Sequence, residues 1–266
     1  IGVAACISPW NLPLYLLTWK IAPALATGNT VVAKPSEITP MTAYLLSKIC
    51  KEINFPKGVL NIIHGRGEKL GDALTTHQDV PIVSFTGGSD TGKHISKVTA
   101  PYFKKLSLEL GGKNPNIIFD DCDFDKAVST ASRAAFTNQG QICLCGSRVF
   151  VQNKIYEKFK SALVDKAKKL IVGDPKNSKS HLGAVVSEEH MNKILLKINE
   201  AKKLGGILLC GGERLILEGE LKNGYYIQPT VFENLPYDCS INNEEIFGPV
   251  VTLIPFESED DVIMMA

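Results

Sequence analysis

Pro81-Ile-Val-Ser-Phe-Thr-Gly-Gly-Ser-Asp-Thr-Gly-Lys93 reads as a strand, a glycine turn and the opening of a helix. Residues 81–85 are apolar and β-rich, Gly87 and Gly88 break the run, and a helix-length segment follows. The same unit recurs upstream. Residues 2–7 read as a strand and 12–26 as a helix with Pro13 near its start. Residues 30–33 are a strand, and 39–53 a helix with Pro40 in its first turn. Residues 59–63 are a strand, followed by a glycine-rich turn and a helix to about His77. Downstream, residues 105–109 close the series. Strands alternating with helices predict an α/β fold built on a parallel sheet with helices on both faces.

A second unit is expected to begin near Gly111–Gly112, dividing the chain into residues 1–111 and 112–266. Residues 116–119 read as a strand, 124–138 as a helix, 148–151 as a strand and 154–170 as a helix. A helix (187–204), a strand (207–210), a stretch punctuated by Gly and Pro, and a last strand (250–255) follow. The chain starts inside an apolar run without Met and stops a few residues into a helix, so a fragment of a longer protein is expected.

Composition narrows the function classes. A net charge of +1 gives no electrostatic footprint for nucleic acid or an acidic membrane. Residues 12–27 are the most apolar run, but Pro13, Lys20 and Pro23 interrupt it, so no membrane partner is expected. The seven cysteines are scattered, with neither a C-x-x-C pair nor Cys/His zinc spacing. Free thiols in a reducing, cytoplasmic setting and no metal are the simplest reading.

Three loops could carry chemistry. Gly65-Arg-Gly-Glu-Lys-Leu-Gly71 approaches the dinucleotide fingerprint G-x-G-x-x-G, with its last glycine one residue late. It reads equally well as a tight strand-to-helix turn. The segment from Gly87 to Lys93 matches the phosphate loop G-x-x-x-x-G-K, which raises the alternative of a nucleotide hydrolase. His94 stands where that loop needs a metal-binding hydroxyl, so a glycine turn against another phosphate-bearing ligand fits better. Cys143 lies in Asn138-Gln-Gly-Gln-Ile-Cys-Leu-Cys-Gly-Ser147, between a helix and a strand. An isolated cysteine is a small core residue more often than a nucleophile. An extended loop would put Cys143 and Cys145 on one face and Leu144 on the other. Asn11, Glu109 and Glu245 sit in apolar or glycine-rich surroundings, where a carboxylate can become a base or simply a cap.

Taken together, Pro9-Trp-Asn-Leu-Pro13, Lys34-Pro-Ser-Glu37, Phe85-Thr-Gly87, Glu109-Leu-Gly-Gly-Lys-Asn-Pro115, Asn138-Gln-Gly-Gln141 with Cys143, and Glu245-Ile-Phe-Gly-Pro249 resemble the aldehyde dehydrogenase superfamily, in its order and spacing. The resemblance runs over essentially the whole chain. It implies a Rossmann-like nucleotide-binding domain at 1–111 and an α/β catalytic domain at 112–266, each cut at its outer end. It also implies that NAD is the cofactor and a small aldehyde the substrate, in a homodimer or homotetramer.

The resemblance assigns roles position by position. Cys143 would be the nucleophile, forming a thiohemiacetal and then a thioester. Asn11 and the backbone N–H of Cys143 would hold the oxyanion, and Glu109 would activate the hydrolytic water. Lys34 and Glu37 would hold the adenosine ribose, a carboxylate there favouring NAD over NADP. Gly67, Gly87 and Gly88 would line the adenine and diphosphate groove, with Ile7, Ser8, Trp10, Ser36, Phe85, Thr86 and Leu110 completing the cofactor contacts and Lys20 close by. Glu245 would hold the nicotinamide ribose and Phe247 pack on the ring. Gly88 stands where many members carry Ser, and Leu144-Cys145 where two small residues are more usual. Residues 9–24 and 141–145 are most similar to the muconic semialdehyde branch, with 2-aminomuconate 6-semialdehyde of tryptophan breakdown as expected substrate. Hydroxymuconic semialdehyde and aliphatic or betaine-type aldehydes are the alternatives. The absent parts of the family fold are expected to leave a sheet edge and apolar helix faces exposed, and residues 1–266 alone inactive.

Overall fold

β1 (Val3–Ile7) lies at the centre of a five-stranded sheet with β2 (Thr30–Lys34) and β3 (Leu60–Ile62) on one side, and β4 (Ile82–Thr86) and β5 (Lys105–Glu109) on the other. All four pairings are parallel. Consecutive side chains of a strand point to opposite faces, and β1 is apolar on both. Ala4 and Cys6 pack with Leu17 and Ile21 of α1 (Pro13–Ala26) and Ala43 of α2 (Met41–Glu52). Ala5 and Ile7 pack with Leu74 of α3 (Gly67–Thr75) and Ile95 of α4 (Ser89–Thr99). Both faces are covered, as parallel sheets require. The computed structural model describes residues 1–266, and this unit spans Ile1–Gly111.

The unit Gly112–Ala266 has its own sheet. Its strands are β6 (Pro115–Ile118), β7 (Arg148–Gln152), β8 (Ile207–Cys210), β11 (Thr230–Glu233) and β12 (Val250–Phe256), ordered β6-β7-β12-β11-β8. Val149 and Val151 face α5 (Phe124–Phe136) and α6 (Tyr156–Lys168) through Val128, Phe159 and Leu163. Phe150 faces Ile254, Phe256 and Val262, the last from α9 (Glu259–Met265). The 16-residue α7 (Glu188–Lys203) buries Met191, Ile194 and Ile198 against Phe232, Ile241 and Val250.

The strands and helices expected from the sequence are present, with shifted ends. Three features were not anticipated. β8 pairs antiparallel with β11, making the second sheet mixed. A small hairpin-like pair, β9 (Arg214–Leu215) with β10 (Tyr226–Ile227), and β11 itself occupy the Gly/Pro-punctuated stretch. The helix α8 (Ser240–Asn243) is a single turn. Elements of two to four residues are shorter than one hydrophobic period resolves. No helix is long and apolar enough to cross a membrane.

Candidate functional site

In the first sheet the chain runs outward from β1 to β3, then returns to β4 on the other side of β1. Such a reversal opens a crevice beyond the carboxyl ends of the strands, where open α/β sheets bind ligands. A cavity of about 800 Å³ lies there. Ile7, Ser8 and Trp10 line it after β1; Lys34, Ser36 and Glu37 after β2; Gly67 at the start of α3; and Phe85, Thr86, Gly87 and Gly88 after β4. Leu110 is not among its walls; it packs against Gly92, where a Cβ would collide with it. Gly87 is required because a side chain there would strike the Phe85 ring, not because of an unusual φ. Gly88 has open space beside it.

The polar groups around this cavity suit a phosphate-bearing ligand. The N-cap residue of α4 makes no side-chain cap, which leaves N–H donors for an anion there, whereas the first N–H of α3 is already met by Glu37. The Ser8 hydroxyl is buried without a hydrogen-bond partner. The buried Lys34 Nζ donates to Pro35 O and Glu37 Oε2, each at 3.2 Å, and Glu37 Oε1 accepts the Gly67 N–H at 3.3 Å. Desolvation works against the Glu37 charge, but the backbone N–H groups and Lys34 outweigh it and hold the carboxyl below its usual range. The phosphate-loop alternative finds no support. Lys93 is exposed, 3.6 Å from Asp90, and is not a cavity wall, while His94 Nε2 meets Asp72 at 2.7 Å.

Asn11 and Glu109 belong to this same unit. Asn11, half-buried, lies in the bend between β1 and α1, which Thr39 braces by donating to Trp10 O at 3.1 Å. Glu109 ends β5. Its Oε2 accepts from Thr86 Oγ1 at 2.9 Å, and its Oε1 lies 3.7 Å from Lys20 Nζ. Lys20 is 4% exposed and also donates to Ser84 Oγ at 3.2 Å. Burial lowers its pKa, opposed by the Glu109 charge. The sequence placed Lys20 near the cofactor; its contact is with Glu109.

In the second unit, the segment before Cys143 turns sharply. Asn138, Gln139 and Gly140 all have positive φ, at 52°, 58° and 72°. Two non-glycine residues in that region store strain of order 1–3 kcal/mol each, which the surroundings must hold in place. Gln141 helps: it is buried, and its Oε1 accepts the Val186 N–H at 3.0 Å. The loop is not extended. The Cys145 N–H closes a turn onto Ile142 O at 3.0 Å. Leu144 points outward, 82% exposed, while Cys145 is buried and burial pushes its thiol pKa up. The loop is turned and not extended, yet Cys143 and Cys145 line one crevice while Leu144 points away from it. Asn114 Nδ2 pins the loop, donating to Cys143 O at 2.5 Å and Cys145 O at 3.2 Å.

A crevice joins Cys143 to the loop that follows α8, lined also by Gly112, Asn114, Glu245 and Phe247. Burial raises the Glu245 pKa, while the Gly112 N–H and Lys113 act in the other direction. Phe247 has φ 57°, an unfavourable value for an aromatic residue. His190 Nε2 lies 2.7 Å from Phe247 O, and the two rings meet edge-on, 6.2 Å apart. Gly140 backs onto this loop so closely that any Cβ would collide with the Gly248 carbonyl. Asn114 and His190 were not singled out from the sequence. Asn114 sits inside a quoted motif without a signal separating it from its neighbours, and His190 meets Phe247 only through folding across 57 residues.

Comparison with known proteins agrees with this geometry. The model of the aldehyde dehydrogenase family matches residues 1–266. The chain is 47% identical over its whole length to 2-aminomuconic semialdehyde dehydrogenase of Bos taurus, covering 55% of that protein. It is 45% identical to betaine aldehyde dehydrogenase of Bacillus subtilis, covering 54% of it. The chain thus spans about half the length of the curated relatives it matches. Among solved structures, betaine aldehyde dehydrogenase of Staphylococcus aureus in complex with NAD+ superposes with a TM-score of 0.96 at 47% identity, over 99% of this chain and 52% of that one. The NAD+ complex of an aldehyde dehydrogenase from Bacillus cereus gives 0.96 at 43% identity, over 100% of this chain and 53% of that one. A family match from end to end, with the crevice-forming sheet and the pinned cysteine loop it leads one to expect, shows that this chain belongs to the aldehyde dehydrogenase family.

Proposed function

We propose that the chain carries the cofactor-binding and nucleophile-bearing parts of an NAD-dependent aldehyde dehydrogenase. The observation that carries this reading is the cavity beyond β1, β2 and β4, where the uncapped α4 N-terminus, a buried unpartnered serine hydroxyl and the Lys34–Glu37 pair converge. Residues 1–111 are the NAD-binding domain in this reading and 112–266 the catalytic domain. The α4 terminus, after Gly87 and Gly88, receives the diphosphate, Gly67 lines the adenine groove, and Lys34 and Glu37 take the adenosine ribose. Glu37, held ionised, disfavours a 2′-phosphate by like-charge repulsion. Glu245 takes the nicotinamide ribose, and Phe247 packs on the ring. Bound NAD supplies the acceptor for the hydride that leaves the aldehyde carbon.

The chain's own residues do the rest. Cys143 Sγ, as thiolate, adds to the aldehyde carbon and gives a thiohemiacetal whose oxyanion is met by the Asn11 amide and the Cys143 N–H. One such donor is worth about 3–4 kcal/mol of barrier. Loss of hydride leaves a thioester on Cys143. Glu109 takes a proton from water, which attacks the thioester and releases the acid and the thiolate. Lys20 and Thr86 hold Glu109 between them.

The expected substrate is 2-aminomuconate 6-semialdehyde, in tryptophan catabolism through kynurenine. Support comes from four vertebrate relatives of that description at 46–48% identity. Betaine aldehyde is the second reading, since relatives of that description stand at 45% and 47%. The two differ in charge, one anionic and one cationic. An odd number of cysteines scattered along the chain suits a reducing compartment such as the cytoplasm. The test is NADH formation by the full-length parent with an anionic muconic semialdehyde analogue, betaine aldehyde and an aliphatic aldehyde, beside its Cys143→Ala variant. The reading expects the muconic compound to give the highest kcat/KM and the variant to be inactive. A preference for betaine aldehyde overturns the substrate, and turnover by the variant overturns the mechanism.

A further inference from the structure

Directly after Gly112, whose N–H favours the Glu245 charge, the chain buries an ammonium. Lys113 Nζ is shut off from solvent and has no hydrogen-bond partner. A buried charge is normally paired, so an unpaired one needs a reason. Its surroundings come from three elements. Arg148 of β7 faces it, with that guanidinium committed to Lys113 O at 3.1 and 2.6 Å. Lys197 of α7 faces it, already held by Glu200 at 2.9 Å and Glu244 at 2.7 Å. The Cys239 thiol, just before α8, is a weak acceptor at best. The one carboxylate left to answer Lys113 is Glu245.

We propose that Lys113, buried between the crevice-lining Gly112 and Asn114, is a positioning residue for Glu245, its ammonium serving as the nearby countercharge for the carboxylate that meets the nicotinamide ribose, so that cofactor affinity depends on Lys113. The proposal rests on the reading of Glu245 given above. Gly112 and Lys113 then act as a pair, the backbone N–H and the ammonium both favouring the charge of a carboxylate that burial opposes. Burial, aided by Arg148, pulls the Lys113 pKa down to about 8. Lys113 is therefore protonated below pH 8 and loses its charge just above it. Cofactor binding should weaken over that range.

The test is the Kd for NAD+ of the full-length parent between pH 6.5 and 9.5, for wild type, Lys113→Arg, Lys113→Met and Glu245→Gln. The wild type should lose affinity about tenfold across pH 8, as coupling of one pKa unit implies. Lys113→Arg, which cannot lose its charge, should bind well with a flat profile. Lys113→Met should bind weakly at every pH. The rate of Cys143 alkylation should be the same in Lys113→Arg as in the wild type, since that variant keeps the charge and the fold. Identical affinities and profiles for wild type, Lys113→Arg and Lys113→Met overturn the proposal while leaving Glu245 as a ribose ligand. If Glu245→Gln binds NAD+ as the wild type does, the reading of Glu245 fails and the proposal with it. The wild-type and Lys113→Arg profiles decide the matter even if Lys113→Met does not fold.

Discussion

Glu37 shows how one carboxylate can set cofactor choice. Its two oxygens are occupied, by the Lys34 ammonium and by the Gly67 N–H, so its charge and direction are fixed before any ligand arrives. Removing the charge while keeping the shape should relax discrimination: Glu37→Gln is expected to raise the NADP-over-NAD ratio of kcat/KM by about tenfold, a shift of ~1.4 kcal/mol. Initial rates with each cofactor check it, and an unchanged ratio counts against Glu37 as the selector. Because the Glu37 pKa is depressed, the charge and the preference it causes persist throughout the neutral range. They are lost only as pH falls through the lowered value. Cys143 illustrates what residue identity alone withholds. One half-buried thiol among seven looks like any other until its neighbours in sequence are read as a pattern. Its partner Asn114 was invisible at that level, because nothing in its type says that its amide will meet the Cys143 and Cys145 carbonyls from 29 and 31 residues away.

The loop that carries Cys143 and the loop that carries Glu245 are built as one element pair. Gly140 has φ 72° and packs on the Gly248 carbonyl, so it satisfies two demands that only glycine meets together. Gly140→Ala should lower stability by about 3 kcal/mol through overpacking and a disfavoured φ, or roughly 5–10 °C in Tm for a domain of this size. Thermal unfolding of the full-length variant measures it. A change under 2 °C, roughly the effect of a neutral surface substitution, would show that the two loops do not press on each other. At this scale the sequence was most informative where period and punctuation agree. The unbroken apolar run of β1 and the strand–glycine–helix units spelled out the first sheet. It was least informative at β9, β10 and β11. There the strands are two to four residues long, and neighbouring Gly and Pro mask them. The antiparallel pairing of β8 depends on a partner more than twenty residues on, which no local pattern encodes.

Over the whole chain, α2 stands apart. It buries only Ala43, and Met41, Tyr44, Leu45, Ile49 and Ile53 form one exposed apolar stripe at helical spacing. A contiguous patch of this kind is an association surface. Residues 1–266 expressed alone should therefore self-associate, and Leu45→Lys with Ile49→Glu should raise the monomer fraction in light scattering. A monodisperse wild-type fragment would contradict this. The central claim, however, is chemical: one sulfur carries the acyl group. Intact mass spectrometry tests it most directly, on the full-length Glu109→Gln variant mixed with aldehyde and NAD+. The account predicts one equivalent of NADH and one acyl adduct on Cys143 that persists because its hydrolysis is slowed by about 10²–10⁴. Stoichiometric NADH with no adduct on Cys143, or an adduct on another residue, would contradict it.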